Sequence, residues 1–284
     1  NFKQKKDSFM AKLTFKGTTA QVNAALTALI GDNTVVTITD DTYTLADLQA
    51  IIAKVGQNKV ILEKAASTPI EGTATELKDM LAGVSSYTGA LKATDTASGV
   101  SAADLNTIAK GTTGKVTATL NAATPLTKAT VDALADVKVT DIITFKPNAT
   151  TADAAILVAI KKIITAADFT AVATITAAAA DVALVKEALA YSTVDDPVVT
   201  ITGAISAADV NAIAKATNGV VTATIADGTV AATLKAIRTD VKAEDLITFK
   251  TTDSTVKATE LKALAALVDT LDATSIKTIT AAAA

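Results

Sequence analysis

The 284-residue chain contains neither cysteine nor histidine, and 26 basic against 29 acidic residues leave a formal charge of −3. These absences exclude disulfides, thiolate and imidazole metal sites and Ser-His or Cys-His nucleophiles, and the weak negative charge with scattered lysines argues against nucleic acid as a partner. Half of the residues are hydrophobic, yet with six Phe, three Tyr and no Trp the core must be built from thin layers of Val, Ile, Leu and Ala.

From the amino end, residues 1–10 read as a polar tail or linker with the only basic cluster, Lys3, Lys5 and Lys6, and residues 11–284 read as one continuous repeat array. Strand-like segments are expected near 11–16, 34–39, 59–63, 90–94, 115–120, 141–146, 171–176, 198–202, 220–225, 246–250 and 275–280, about eleven in all, with a helical pattern between each pair. Apolar steps of three and four define those helices, as in Val131, Leu134 and Val137 or Leu261, Leu264, Ala265 and Val268. Thr44 with Asp47, Thr73 with Glu76, Ser101 with Asp104 and Ser206 with Asp209 have the capping-box spacing of a helix start. No run of eighteen apolar residues is present, so no membrane span is expected. No signal peptide is visible; Met10 could be a true start, but the abrupt final AAAA suggests a piece or mature form of something longer.

The array is copied from itself. VSAADLNTIAKGTTGKVTATL, from Val100 to Leu120, returns as ISAADVNAIAKATNGVVTATI from Ile205 to Ile225. Within it Ala102, Leu105, Ile108 and Ala109 mark a helix, Gly114 is expected to break it, and Val116, Ala118 and Leu120 alternate with Thr117 and Thr119 as in a strand. LTFK at 13–16 and ITFK at 143–146 and 247–250 are 130 and 104 residues apart, which sets a unit of about 26 residues and a super-repeat of four units.

Strands alternating with helices over short links imply parallel strands and right-handed crossovers. Eleven units exceed an eight-fold barrel, and a Thr-bearing strand face is unlike the doubly covered strands of an open doubly wound sheet. The expectation is an α/β fold: a right-handed β/α solenoid of about eleven units, with a single parallel sheet and its helices on one convex face, in the manner of leucine-rich repeats. Its concave face would show the recurring TxT pairs (Thr37 and Thr39, Thr117 and Thr119, Thr174 and Thr176, Thr200 and Thr202, Thr222 and Thr224, Thr278 and Thr280) with Lys16, Lys146 and Lys250 between them.

Such a Thr ladder suits ice binding, although Thr is also an ordinary solvent-facing strand residue and Ile61 and Glu63 interrupt it. The acid pairs Asp40 with Asp41 and Asp195 with Asp196 could hold Ca²⁺, or serve turns and helix caps. GTTGKVT at 111–117 lacks phosphate-loop spacing, and Asn148-Ala149-Thr150 is a formal glycosylation sequon relevant only to a eukaryotic secretory route. No residue is assigned as catalytic, cofactor-binding or metal-ligating, and apart from that Ca²⁺ no cofactor is expected.

The SAADLNTIAK and SAADVNAIAK helices feeding VTATL and VTATI strands resemble repeats of long bacterial cell-surface proteins, including cyanobacterial and S-layer-like ones. The resemblance implies an extracellular structural or adhesive role without catalysis. Unpaired terminal strands add the expectation of self-association into filaments or lattices. The alternative is a binding module whose concave Thr face takes ice, a glycan or a protein.

Overall fold

The computed structural model describes residues 14–28, 34–95, 98–192 and 196–281. The polar tail with Lys3, Lys5, Lys6 and Met10, residue Asp195, and the final residues 282–284 lie outside the described residues. The chain forms two compact units: one of Asn1–Thr124, Ala129–Phe145 and Ile163–Ala167, the other of Pro125–Lys128, Lys146–Lys162 and Asp168–Ala284.

In chain order, β1 (Thr14–Gly17), α1 (Thr19–Ala28), β2 (Val35–Ile38), α2 (Leu45–Val55) and β3 (Val60–Leu62) make a three-stranded sheet with its helices. A second sheet begins at β4 (Ile70–Gly72) and continues through α3 (Ala74–Gly83), β5 (Leu91–Ala93), α4 (Ala102–Gly111), β6 (Val116–Thr119), α5 (Lys128–Asp132) and β7 (Ile142–Phe145). The chain then enters a third sheet at β8 (Thr151–Asp153), runs through α6 (Ala154–Ile163), returns to the second at β9 (Ala166–Ala167), and re-enters the third at β10 (Thr174–Ala178). That third sheet grows through α7 (Val182–Tyr191), β11 (Val198–Ile205), α8 (Ala207–Ala214), β12 (Val221–Gly228), α9 (Val230–Ile237) and β13 (Leu246–Thr251). The same detour follows: β14 (Thr255–Lys257) opens a two-stranded sheet, α10 (Ala258–Ala265) leads back to β15 (Thr270–Asp272) in the third, and β16 (Thr278–Thr280) completes the two-stranded one. Every strand pairing in the four sheets is parallel.

The α/β class with parallel strands stands, but the single-sheet solenoid of eleven units is corrected: the strands fall into separate sheets of three, five, six and two. The physical reason lies in five links. Residues 63–69, 146–150, 168–173, 252–254 and 273–277 join strands without a helix. A parallel neighbour in the same sheet requires a crossover of about a dozen residues or more, so each short link delivers its strand to another sheet. The five strands absent from the sequence reading, β4, β8, β9, β14 and β15, are the ones that create this hand-over. Each has two or three residues, too few for alternation to register. The detour recurs 104 residues on: β8 and β14 start at 151 and 255, β9 and β15 at 166 and 270, β10 and β16 at 174 and 278.

Local rules produce the elements themselves. Leu48, Ile51, Ile52 and Val55 bury one stripe of α2, whose N-terminus carries a complete Thr44/Asp47 capping box and whose end is closed by Gly56 at φ 87°. In the six-stranded sheet Ile175, Val199, Val221, Ile247 and Phe249 are fully buried while the alternate residues face solvent. Each such aliphatic side chain contributes about 1.5–3 kcal/mol. The helix α4 ends at Gly111, three residues before Gly114, which has a different task. A Cβ on Gly114 would lie 2.1 Å from the Gly89 carbonyl oxygen, and one on Gly219 would lie 2.4 Å from the Asp196 and Pro197 carbonyl oxygens. Because the obstacle is backbone, Gly114→Ala and Gly219→Ala are each expected to destabilise by at least the 1–3 kcal/mol of ordinary overpacking, read as a lowered denaturant midpoint. An unchanged midpoint would show that the neighbouring coil yields.

Candidate functional site

A set of polar residues that recurs with the repeat binds the backbone of the neighbouring coil. Asp141, 9% exposed, accepts from Val116 N at 2.9 Å through Oδ1 and from Lys138 N at 2.8 Å through Oδ2. Its counterpart Asp245, 1% exposed, accepts from Val221 N at 2.8 Å and Lys242 N at 2.9 Å. The lysine three residues earlier completes the clip. Lys138 Nζ donates to the Ala109 and Thr112 carbonyls at 3.1 and 2.8 Å, and Lys242 Nζ to the Thr217 carbonyl at 2.9 Å, supplying acceptors at a helix end with donors. Thr112 and Thr217 donate to the carbonyls of Gly89 and Pro197 and accept from Gly114 N and Gly219 N. Asn106 and Asn211 close the pattern by exchanging two hydrogen bonds each with Asp136 and Asp240. The signal was present in the sequence: DVKVTDIITFK at 136–146 and DVKAEDLITFK at 240–250 keep every one of these acids and lysines.

Other candidate residues go to helix starts. Thr73 and Glu76 form a second complete capping box, and Ser101 and Ser206 accept from the amides of Asp104 and Asp209. Asp40 takes the backbone amide and hydroxyl of Thr19, at the start of α1, 21 residues back; Asp95 and Asp253 do the same for the amides of Ala74 and Val230. Among the described residues no group of three or more acids could hold a metal ion. Asp196 sits in a turn at φ 60°, while its partner Asp195 is outside the described residues. Within 111–117 the Thr112 hydroxyl is committed to Gly89 and Gly114. Asn148 is exposed on the link between β7 and β8.

Several acids hold their protons more weakly than usual. The Lys78 ammonium lowers Asp104, the backbone amide of Thr73 lowers Glu76, that of Thr170 lowers Asp168 with Lys146 assisting, and the hydroxyls of Thr239 and Thr274 lower Asp240 and Asp272. A lowered folded-state pKa means that the unfolded chain binds more protons, so the stabilisation is present above the unfolded value near 4 and is lost as pH falls through the folded values. The melting temperature is therefore expected to be flat between about pH 5 and about pH 9 and to fall below about pH 4. A melting temperature that held steady down to pH 2 would contradict this.

The Thr pairs are divided among the four sheets, so no single Thr face runs the length of the array. In the six-stranded sheet two outward rows survive, Thr176–Thr200–Thr222 and Thr224–Thr248–Thr270. Asp153 and Leu246 bound the first row, and the register shifts between Thr200 and Ala204 and between Ile225 and Gly228. Of the expected lysines, Lys16 pairs with Glu63 at 2.5 Å and Lys146 with Asp168 at 3.1 Å, and Lys250 lies beside Asp272 across β13 and β15. In the first unit an open cleft of about 580 Å³ lies between Thr44, Gln49, Ser67, Glu71 and Glu76, but Glu76 already serves its helix cap.

The remaining exposed groups of note are apolar: Ile61, Ile142, Leu246 and Ile279 on strands are 39, 51, 48 and 58% exposed, and Val139, between α5 and β7, is 64% exposed. No helix of the described residues is long and apolar enough to cross a membrane. Comparison with protein-family models, with curated proteins and with solved structures gave no match to this chain.

Proposed function

We propose that this chain is a non-catalytic, extracellular structural repeat protein, a surface-layer, filament or adhesin spacer that associates with copies of itself through its ends or edges. The observation that carries the reading is the clip repeated in both units: Lys138 and Asp141, like Lys242 and Asp245, bind main-chain atoms. Groups used in this way rigidify a scaffold and are not held ready for a substrate. The resemblance of the SAADLNTIAK and VTATL segments to repeats of bacterial cell-surface proteins points the same way, and strand edges are the natural joints of such an array. Electron microscopy of the purified chain tests the reading: filaments or lattices are expected, and isolated particles at every concentration would overturn it.

A second reading, a binding face for ice, a glycan or a protein, draws on the two outward Thr rows. Thermal hysteresis in a freezing solution tests its ice-binding form, with none expected if the rows are simply a solvated strand face.

A further inference from the structure

The sequence holds a single Asn-Gly pair, Asn218-Gly219. In such a pair the glycine nitrogen, with no Cβ beside it to obstruct the approach, can reach the asparagine side-chain carbonyl carbon. The pair sits in the turn between α8 and β12, and Asn218 is exposed. Nothing in the turn requires an asparagine: the first copy has Thr113 at that place, and Thr112 there makes the same hydrogen bonds, to the Gly89 carbonyl and from Gly114 N.

The nitrogen, in contrast, is held. The Gly219 N–H donates to Thr217 Oγ1 at 2.9 Å, and that hydroxyl donates in turn to the Pro197 carbonyl at 2.7 Å, with Thr217 only 5% exposed. The glycine lies so close to the preceding coil that a Cβ would stand 2.4 Å from the carbonyl oxygens of Asp196 and Pro197. Two residues on, Val221 N is bound by Asp245 of the following coil. The nucleophile is thus fixed from both sides with its proton in a hydrogen bond, while the carboxamide it would attack stands in solvent.

We infer that Asn218 is a modification site that the fold keeps closed, a deamidation site opened only when the turn comes away from its neighbours. The Gly219 nitrogen gives its proton to solvent base and bonds to Asn218 Cγ; the Cγ–Nδ2 bond breaks, ammonia leaves, and water opens the resulting succinimide to aspartate or isoaspartate. The rate then follows the local opening of 217–221. Isoaspartate routes the main chain through the side-chain carbon and adds a backbone atom directly before Gly219, so a stretch seated this closely cannot restore both of its hydrogen bonds. A transient opening becomes permanent. Of the two copies only the second carries the site, since Thr113 in the first has no carboxamide. The inference is independent of the self-associating reading above.

Peptide mapping by mass spectrometry after timed incubation in neutral buffer is the test, with aspartate and isoaspartate at position 218 quantified. Conversion is expected to be at least about tenfold slower in the folded chain than in the chain unfolded by urea. Thr217→Val, which takes the acceptor from Gly219 N, is expected to convert several-fold faster than the folded wild type. A second measurement needs no substitution: in wild-type chain at urea concentrations below the unfolding transition, conversion should rise in step with exchange of the Gly219 amide. The isolated isoaspartate form should melt below the wild type, whereas Asn218→Thr should melt with it and stay unmodified. Equal conversion in the folded and unfolded chains, no conversion even in urea, or a rate that does not respond as amide exchange rises each overturns the inference, as does a folded Thr217→Val that converts no faster than wild type.

Discussion

Asp245→Ala is expected to lower the stability of the second unit by about 2–5 kcal/mol, because it leaves the buried amide of Val221 and the part-buried amide of Lys242 without an acceptor, at up to about 3 kcal/mol for the first and less for the second. At roughly 2–4 °C per kcal/mol for a unit of this size, the melting temperature falls by about 5–20 °C. Asp245→Asn should recover little, since one lobe of the amide would present an N–H to a backbone N–H. Asp227, exposed at the end of β12, supplies the control: Asp227→Ala should lie within about 0.5 kcal/mol of wild type. If Asp245→Ala melted with the wild type, the carboxylate would not be holding the two strands in place.

Phe249→Ala is the other large effect, at about 3–5 kcal/mol. Phe249 is 0% exposed on β13, between β12 and β15, and is among the largest fully buried side chains of the described residues. Removing the ring leaves a cavity in a close-packed layer, and the cost rises with the part of it that the surroundings fail to fill. Phe15→Ala, at a half-buried edge position, should cost clearly less in the monomer. Denaturant midpoints of the two variants compare these values directly, and amide exchange should show protection lost across the six-stranded sheet for Phe249→Ala. Equal costs at the two positions would contradict the packing argument.

The difference between those two phenylalanines could not have been read from their motif, which is nearly identical at 13–16 and 247–250. The period of about 26 residues was legible: the helix starts at Thr19, Leu45, Ala74, Ala102, Lys128, Ala154, Val182, Ala207, Val230 and Ala258 fall 23–29 residues apart. The Thr caps of α2 and α3 were also legible, since a cap is a contact between residues three apart. Asp40 was not: its partner Thr19 is 21 residues away on another coil, and nothing local distinguishes a cap for one's own helix from a cap for the preceding one.

By itself, then, the chain's periodicity determined the α/β class, the parallel direction of the strands, the repeat and its helix caps, because these follow from alternation and spacing within a few residues. Tertiary structure decided how many sheets the strands make. That outcome depends on five links of three to seven residues, too short to carry a strand back beside its predecessor, and on two- and three-residue strands that exist only because a neighbouring coil supplies their hydrogen bonds. It likewise decided that Lys138, Asp141, Lys242 and Asp245 are internal fasteners, since the backbone atoms they bind lie 24 to 29 residues away as well as beside them.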